Sequence, residues 1–174
     1  MTTIDNLMKR NEDFAAHRFV GLPLTVKTII VSCADPRVDP AQLLGLEPGE
    51  AVVVRNIGGR VTPGTMQSLN MLVQVARAVG VKPESEFNLI VLHHTDCGIN
   101  ILNQGNPDML ADYFIIDQEE LKAKAITDPR AAVAVDVATL KANPTLPGWW
   151  LVSGLVYDVT TGRVDVVVPP APLQ

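Results

Sequence analysis

The hydrophobic positions of this chain change period repeatedly from one end to the other. Apolar residues run almost unbroken over Thr28–Cys33, Glu50–Arg55 and Phe87–His93, and each run is rich in Val, Ile or Leu. Short continuous runs of this kind predict strands buried on both faces. Between them the spacing lengthens. Met66, Leu69, Leu72, Val73 and Ala76 recur at helical intervals, predicting a helix from Gly64 to Ala78, opened by Thr62-Pro63 and ended by Gly80. Leu7, Phe14 and Ala15 mark a leading helix over Ile4–His17. Asp39-Pro40 and Asp128-Pro129 each offer an N-cap followed by a first-turn proline, so a short helix follows the first and a longer one runs from the second through Ala142, stopped by Pro144. Trp149–Asp158 and Arg163–Val168 flank Thr160-Thr161-Gly162 as a hairpin. Residues 98–127 read as short helices and a long loop, and Pro169-Pro170-Ala171-Pro172 as a tail.

Strands alternating with helices define an α/β fold: a mostly parallel central sheet flanked by helices, with a C-terminal hairpin or antiparallel edge strand. At 174 residues one domain is expected, with a leading helix over 1–20, an α/β core over 28–168 and a tail over 169–174. A hydrophobic fraction of 47% places the chain among globular proteins. A net charge of −5, with no basic run, argues against nucleic acid or an anionic membrane as partner. The first twelve positions carry Asp5, Lys9, Arg10 and Glu12, so no signal peptide is expected, and no apolar stretch reaches membrane-span length. A cytoplasmic, reducing compartment is therefore expected.

Both cysteines fall where the pattern predicts chemistry. Cys33 opens Cys33-Ala34-Asp35-Pro36-Arg37 at the end of the first strand, and Cys97 closes His94-Thr95-Asp96-Cys97 after the third. The C-terminal edge of an open α/β sheet is where ligand sites form. Two thiolates and an imidazole are the ligand count of a catalytic zinc site, which keeps one position open. A buried apolar cysteine, a Cys33–Cys97 disulfide or a thiol redox pair are the competing readings. None of them explains why Asp35, Arg37 and His94 gather at the same two strand ends.

Cys33, Asp35 and Arg37 in Cys-x-Asp-x-Arg, followed by His94, Cys97 and Gly98 in His-x-x-Cys-Gly, resemble the β-class carbonic anhydrase family. Val54-Arg55-Asn56-Ile57-Gly58-Gly59 resembles that family's Arg-Asn-x-Gly stretch. The resemblance implies one zinc ion per chain, held by Cys33, His94 and Cys97, with Asp35 and Arg37 catalytic. Zinc-bound hydroxide would attack the carbon of a small linear substrate. Reversible hydration of carbon dioxide to bicarbonate is expected first. Hydrolysis of carbonyl sulfide to hydrogen sulfide and carbon dioxide is the alternative, and carbon disulfide is a further one, since the family branch includes such enzymes. Asp35 would accept a hydrogen bond from the zinc-bound water or hydroxide while Arg37 keeps it ionised. In a second state known for the family, Asp35 takes zinc's fourth position and closes the site. Asn56, Gly58 and Gly59 are expected at the substrate pocket. The resemblance also implies a homodimer or a dimer of dimers, with the leading helix and final hairpin as contact elements. A zinc-bearing scaffold without turnover is the reading from another class, and the Asp35–Arg37 pair weighs against it.

The remaining candidates fall to structural roles. His93 points to the opposite side of its strand from His94 and is expected to be packed or hydrogen-bonded. Asp96 is expected to bond backbone groups and shape the loop between two ligands. Gly58-Gly59 is too short for a dinucleotide fingerprint. Trp149-Trp150 is expected to fill core on one side and a subunit interface on the other.

Overall fold

A computed structural model describes residues 2–19, 26–80 and 86–174. Its centre is a five-stranded sheet: β1 (Thr28–Cys33), β2 (Ala51–Asn56), β3 (Asn88–His94), β4 (Leu151–Tyr157) and β5 (Val164–Pro172), in the spatial order β2-β1-β3-β4-β5. The pairs β1–β2, β1–β3 and β3–β4 are parallel and β4–β5 is antiparallel. The helices are α1 (Thr3–His17), α2 (Pro40–Leu44), α3 (Pro63–Ala78), α4 (Ile99–Gly105), α5 (Pro107–Phe114), α6 (Gln118–Lys122) and α7 (Pro129–Lys141). This is the expected α/β arrangement with an antiparallel edge.

Local chemistry explains the helix starts. Asp39, Thr62 and Asp128 each cap a helix with a side-chain oxygen, and Pro40, Pro63 and Pro129 take the first helical turn, where a missing N–H costs nothing. Leu69 and Val73 of α3, with Val133, Val137 and Leu140 of α7, pack against Ile29, Val31, Leu89, Val91 and Val152 of the sheet. Burial of each such side chain contributes about 1.5–3 kcal/mol. Gly154 of β4 lets α7 approach closely, because a Cβ there would lie 3.1 Å from Val133 Cγ2. Trp150 is buried and stacks on Phe87 at 4.4 Å between ring centroids, whereas Trp149 remains partly exposed.

Two boundaries differ from the sequence reading. The proline-rich segment from Pro169 is strand rather than tail: β5 continues to Pro172, which pairs with Leu151, and Leu173 is buried in the core. Proline is admissible there because β5 is an edge strand, whose outer side needs no ladder donors. Residues 98–127 hold the expected short helices, but these are joined by short turns rather than a long loop, and Ile99, Leu110, Ala111, Phe114, Leu121 and Ile126 build a second, smaller core. Helix α1 forms as expected but buries none of its residues, leaving Ile4, Leu7, Met8 and Phe14 exposed. No helix among the described residues is long and apolar enough to cross a membrane.

Candidate metal centre

Parallel strands deliver their chemistry at one edge. Cys33 is the last residue of β1, His94 the last of β3, and Cys97 lies in the turn before α4. Cys33 Sγ, Cys97 Sγ and a ring nitrogen of His94 lie within 4.8 Å of one another. Both cysteines are free thiols, with sulfurs 3.8 Å apart. Two thiolates at about 2.3 Å from a tetrahedral zinc stand about 3.8 Å apart, so the sulfur pair already has the span such an ion requires. The imidazole completes the fit. His94 Nδ1 lies 2.8 Å from the Thr95 carbonyl, which can only accept, so Nδ1 carries the proton. That leaves Nε2 as the lone-pair nitrogen, and it is buried without a partner. An orphaned imidazole lone pair beside two sulfurs suits a borderline-soft cation.

The thiols differ. A hydrogen bond from Cys97 lowers the Cys33 pKa to about 4, against the opposing effect of burial and with His94 and the Asp35 amide assisting. The same contact and burial raise that of Cys97. A cation held by both sulfurs would bind them as thiolates and release any thiol proton on binding.

At the rim, Asp35 and Arg37 form a bidentate pair: Arg37 Nε donates to Asp35 Oδ1 at 3.0 Å and Nη2 to Oδ2 at 2.7 Å. The Arg37 backbone N–H adds a third bond to Oδ1 at 2.9 Å. These bonds hold the Asp35 carboxyl at about 2, below the usual carboxylate range. Asp96 does not bond backbone groups as expected. Its carboxylate accepts from Arg37 Nη1 at 2.8 Å and its carbonyl from Nη2 at 2.9 Å, because a left-handed backbone (φ 53°) turns the residue back over the rim. Arg55 clamps the Cys33–Val38 turn from below, donating to the carbonyls of Cys33, Asp35 and Val38.

The three residues expected at the pocket have separate duties. Asn56 spends its amide on the turn that follows it, accepting from Arg60 N and donating to Arg60 O and Thr65 Oγ1. Gly58 lines a cavity of about 100 Å³ together with Arg60, His93, His94, Cys97 and Asn100. Gly59 lies against β1, where a Cβ would come within 2.8 Å of Cys33 N.

His93 is buried, as expected, but its surroundings were not foreseen. Its Nε2 lies 3.2 Å from Asp136 Oδ2, within ion-pair distance though off the line of a good hydrogen bond. Asp136 also receives Arg60 Nε at 2.7 Å, Arg60 Nη2 at 3.1 Å and Val61 N at 3.0 Å. Burial opposes ionisation of Asp136, but His93 and Arg60 outweigh it and hold the carboxyl at about 2. The available signal was Asp136 itself, a lone acid among the apolar positions of α7.

A parallel sheet that gathers two thiols and an imidazole at its C-terminal edge, with an Arg-held carboxylate beside them, defines an α/β protein with a Cys-His-Cys cluster able to hold a metal ion. A family model described as carbonic anhydrase matches residues 28–164. β-Carbonic anhydrase 1 of Mycobacterium tuberculosis is 30% identical over 97% of this chain and all of its own length. A carbon disulfide hydrolase of Acidianus sp. is 29% identical over 92% of this chain and 87% of its own. Among solved structures, carbonic anhydrase from Streptococcus mutans superposes with a TM-score of 0.71 at 35% identity, covering 96% of this chain and 98% of that one. The chain belongs to the β-class carbonic anhydrase family.

Proposed function

We propose that the protein catalyses the reversible hydration of carbon dioxide to bicarbonate at a zinc ion held by Cys33, His94 and Cys97. The observation that carries this reading is the open donor set: three ligand atoms converge while Asp35 stays turned onto Arg37. Bound there, zinc would supply an acidified water, with a pKa near 7, as the nucleophile. The two thiolates offset the cation's charge, which moderates that acidification and gives the neighbouring groups more to do. Asp35, kept ionised by Arg37, remains an acceptor throughout the neutral range and orients the nucleophile's proton away from the incoming carbon. Arg37 cancels the carboxylate's charge, which would otherwise oppose deprotonation beside it. Gly58 leaves room along the wall shared with His94 and Cys97. The exposed apolar residues of α1 support assembly as a homo-oligomer.

Similarity to a carbon disulfide hydrolase over 92% of the chain favours a second reading, hydrolysis of carbonyl sulfide or carbon disulfide at the same centre. Linear, weakly polar substrates differing by oxygen and sulfur are separated mainly by pocket width. Rates for all three substrates with the zinc-loaded protein at pH 7–9 decide between the readings. Carbon dioxide hydration is expected to exceed sulfide release by orders of magnitude in kcat/KM. Strong hydrogen sulfide release with feeble hydration would overturn the first reading in favour of the second.

A further inference from the structure

The ligand-bearing ends of β1 and β3 are not held together by strand pairing. Their register ends at Ser32 and Leu92, one residue before Cys33 and two before His94. Beyond that point the spacing of the two ligands must be set by something else.

Gly59 lies against this last pair. A Cβ built on it would come within 2.9 Å of the Ser32 carbonyl carbon and 2.8 Å of Cys33 N on β1, and within 3.2 Å of the Leu92 oxygen on β3. Its φ of +65° is one that glycine adopts freely. The Asn56–Thr62 turn carrying Gly59 is held on its far side by Asp136, which binds Val61 N and grips the Arg60 guanidinium twice. The same carboxylate faces His93, the residue preceding His94. Among the described residues, Arg60 from the turn and His93 from β3 lie within ion-pair distance of Asp136, and Tyr113 feels its charge from farther off. One side chain on α7 therefore reaches both ligand strands, β1 through Gly59 and β3 through His93.

We infer that Asp136 is a positioning residue for the metal centre, setting the separation of Cys33 and His94 through the Gly59 turn and His93. The inference rests on the proposed Cys33–His94–Cys97 metal site but not on which substrate is used there. Outer groups that orient metal ligands typically contribute 10–100-fold in metal affinity.

The test is zinc affinity by competition with a chromophoric chelator, together with the visible and thiolate charge-transfer bands of the cobalt-substituted protein. Asp136→Asn is expected to weaken zinc binding 10–100-fold and to shift the cobalt bands. Val137→Ala, one position along α7 but packed toward β4, supplies the control: it loosens the fold and is expected to leave both readouts unchanged. Should Asp136→Asn fail to fold, the paired change Arg60→Met with Asp136→Leu removes both charges together, which buried ion pairs commonly tolerate. That variant is expected to fold and to show the same weakened affinity. Wild-type affinity and cobalt bands in either folded variant would overturn the inference, as would an equal loss in Val137→Ala. If wild-type protein binds no zinc at all, the metal-site reading itself has failed, and the two failures remain distinct.

Discussion

The molecule contains two bidentate Arg–Asp pairs of nearly identical geometry in opposite surroundings. Arg37 and Asp35 are two positions apart, and their side chains are 48% and 12% exposed. Arg60 and Asp136 are 76 positions apart, and theirs are 2% and 0% exposed. The shared contact chemistry says little about what each pair does; the solvent decides it. At the rim, water reaches the half-exposed Arg37 guanidinium, so the pair contributes less to folding than a fully buried one. In the interior no water replaces a lost partner, so the pair is costly to disrupt and acts as a fixed strut. We read the outer pair as acting on the reaction and the inner pair as holding the frame around it.

The largest effect that separates them is on stability. Removing one partner of a buried pair strands the other charge, so Asp136→Ala is expected to cost about 3–5 kcal/mol. Arg37→Ala is expected to stay within about 1 kcal/mol of wild type, while its turnover falls by about 100-fold or more with zinc retained. Urea unfolding, metal analysis and stopped-flow hydration on the two variants give the comparison. Equal destabilisation by both would erase the distinction, and undiminished turnover in Arg37→Ala would remove its proposed role.

Acid and salt sharpen the contrast. Asp35 and Asp136 are both lowered to about 2. A carboxyl depressed on folding contributes stability that is present above its unfolded pKa of about 3.9 and is lost as pH falls toward the folded value. Both residues therefore contribute at neutral pH, and both contributions decline between about pH 4 and pH 2. Salt divides them, since exposed charges are screened over about 3 Å at 1 M ionic strength while buried pairs are screened far less. Carboxyl-carbon NMR titrations at low and high salt are expected to show Asp35 moving back toward its ordinary value and Asp136 staying ionised until the protein unfolds. A salt-insensitive Asp35 would mean that the rim pair is drier than its exposure indicates.

The outer pair was legible in the sequence and the inner one was not, for a physical reason. Cys33, Asp35 and Arg37 sit on one turn, and the resemblance of that motif, together with His94 and Cys97 at a second strand end, implied the pairing. The fold followed from the same locality: apolar runs gave the parallel strands, and Asp-Pro and Thr-Pro pairs gave the helix starts. Arg60, His93 and Asp136 meet only because α7 crosses the sheet and brings its one buried acid over the β2–α3 turn. No local pattern encodes that meeting, although an aspartate on the apolar face of a predicted helix is a cue that a partner must exist. The Pro169–Pro172 strand was missed because proline is a breaker in local reasoning, and only its edge position makes it admissible.

The smallest effect tests how far the rim network extends. Asp96 gives Arg37 a second carboxylate, but at 77% exposure that ion pair is expected to contribute little. The Asp96 carbonyl, which binds Arg37 Nη2, is backbone and survives any substitution that keeps the turn. Asn tolerates the left-handed conformation that Asp96 adopts, so Asp96→Asn removes the charge without adding backbone strain. Its turnover is expected to remain within about threefold of wild type and its stability within about 0.5 kcal/mol. Asp96→Ala, which must place a Cβ-bearing residue without local hydrogen bonding at φ 53°, is expected to lose about 1 kcal/mol more through the backbone. Paired hydration and unfolding measurements on the two variants separate charge from conformation. If Asp96→Asn lost as much turnover as Arg37→Ala, the charge on Asp96 would belong to the machinery that holds Arg37 on Asp35. The outer pair would then be a three-membered network, and its contrast with the buried pair would lie in solvent access.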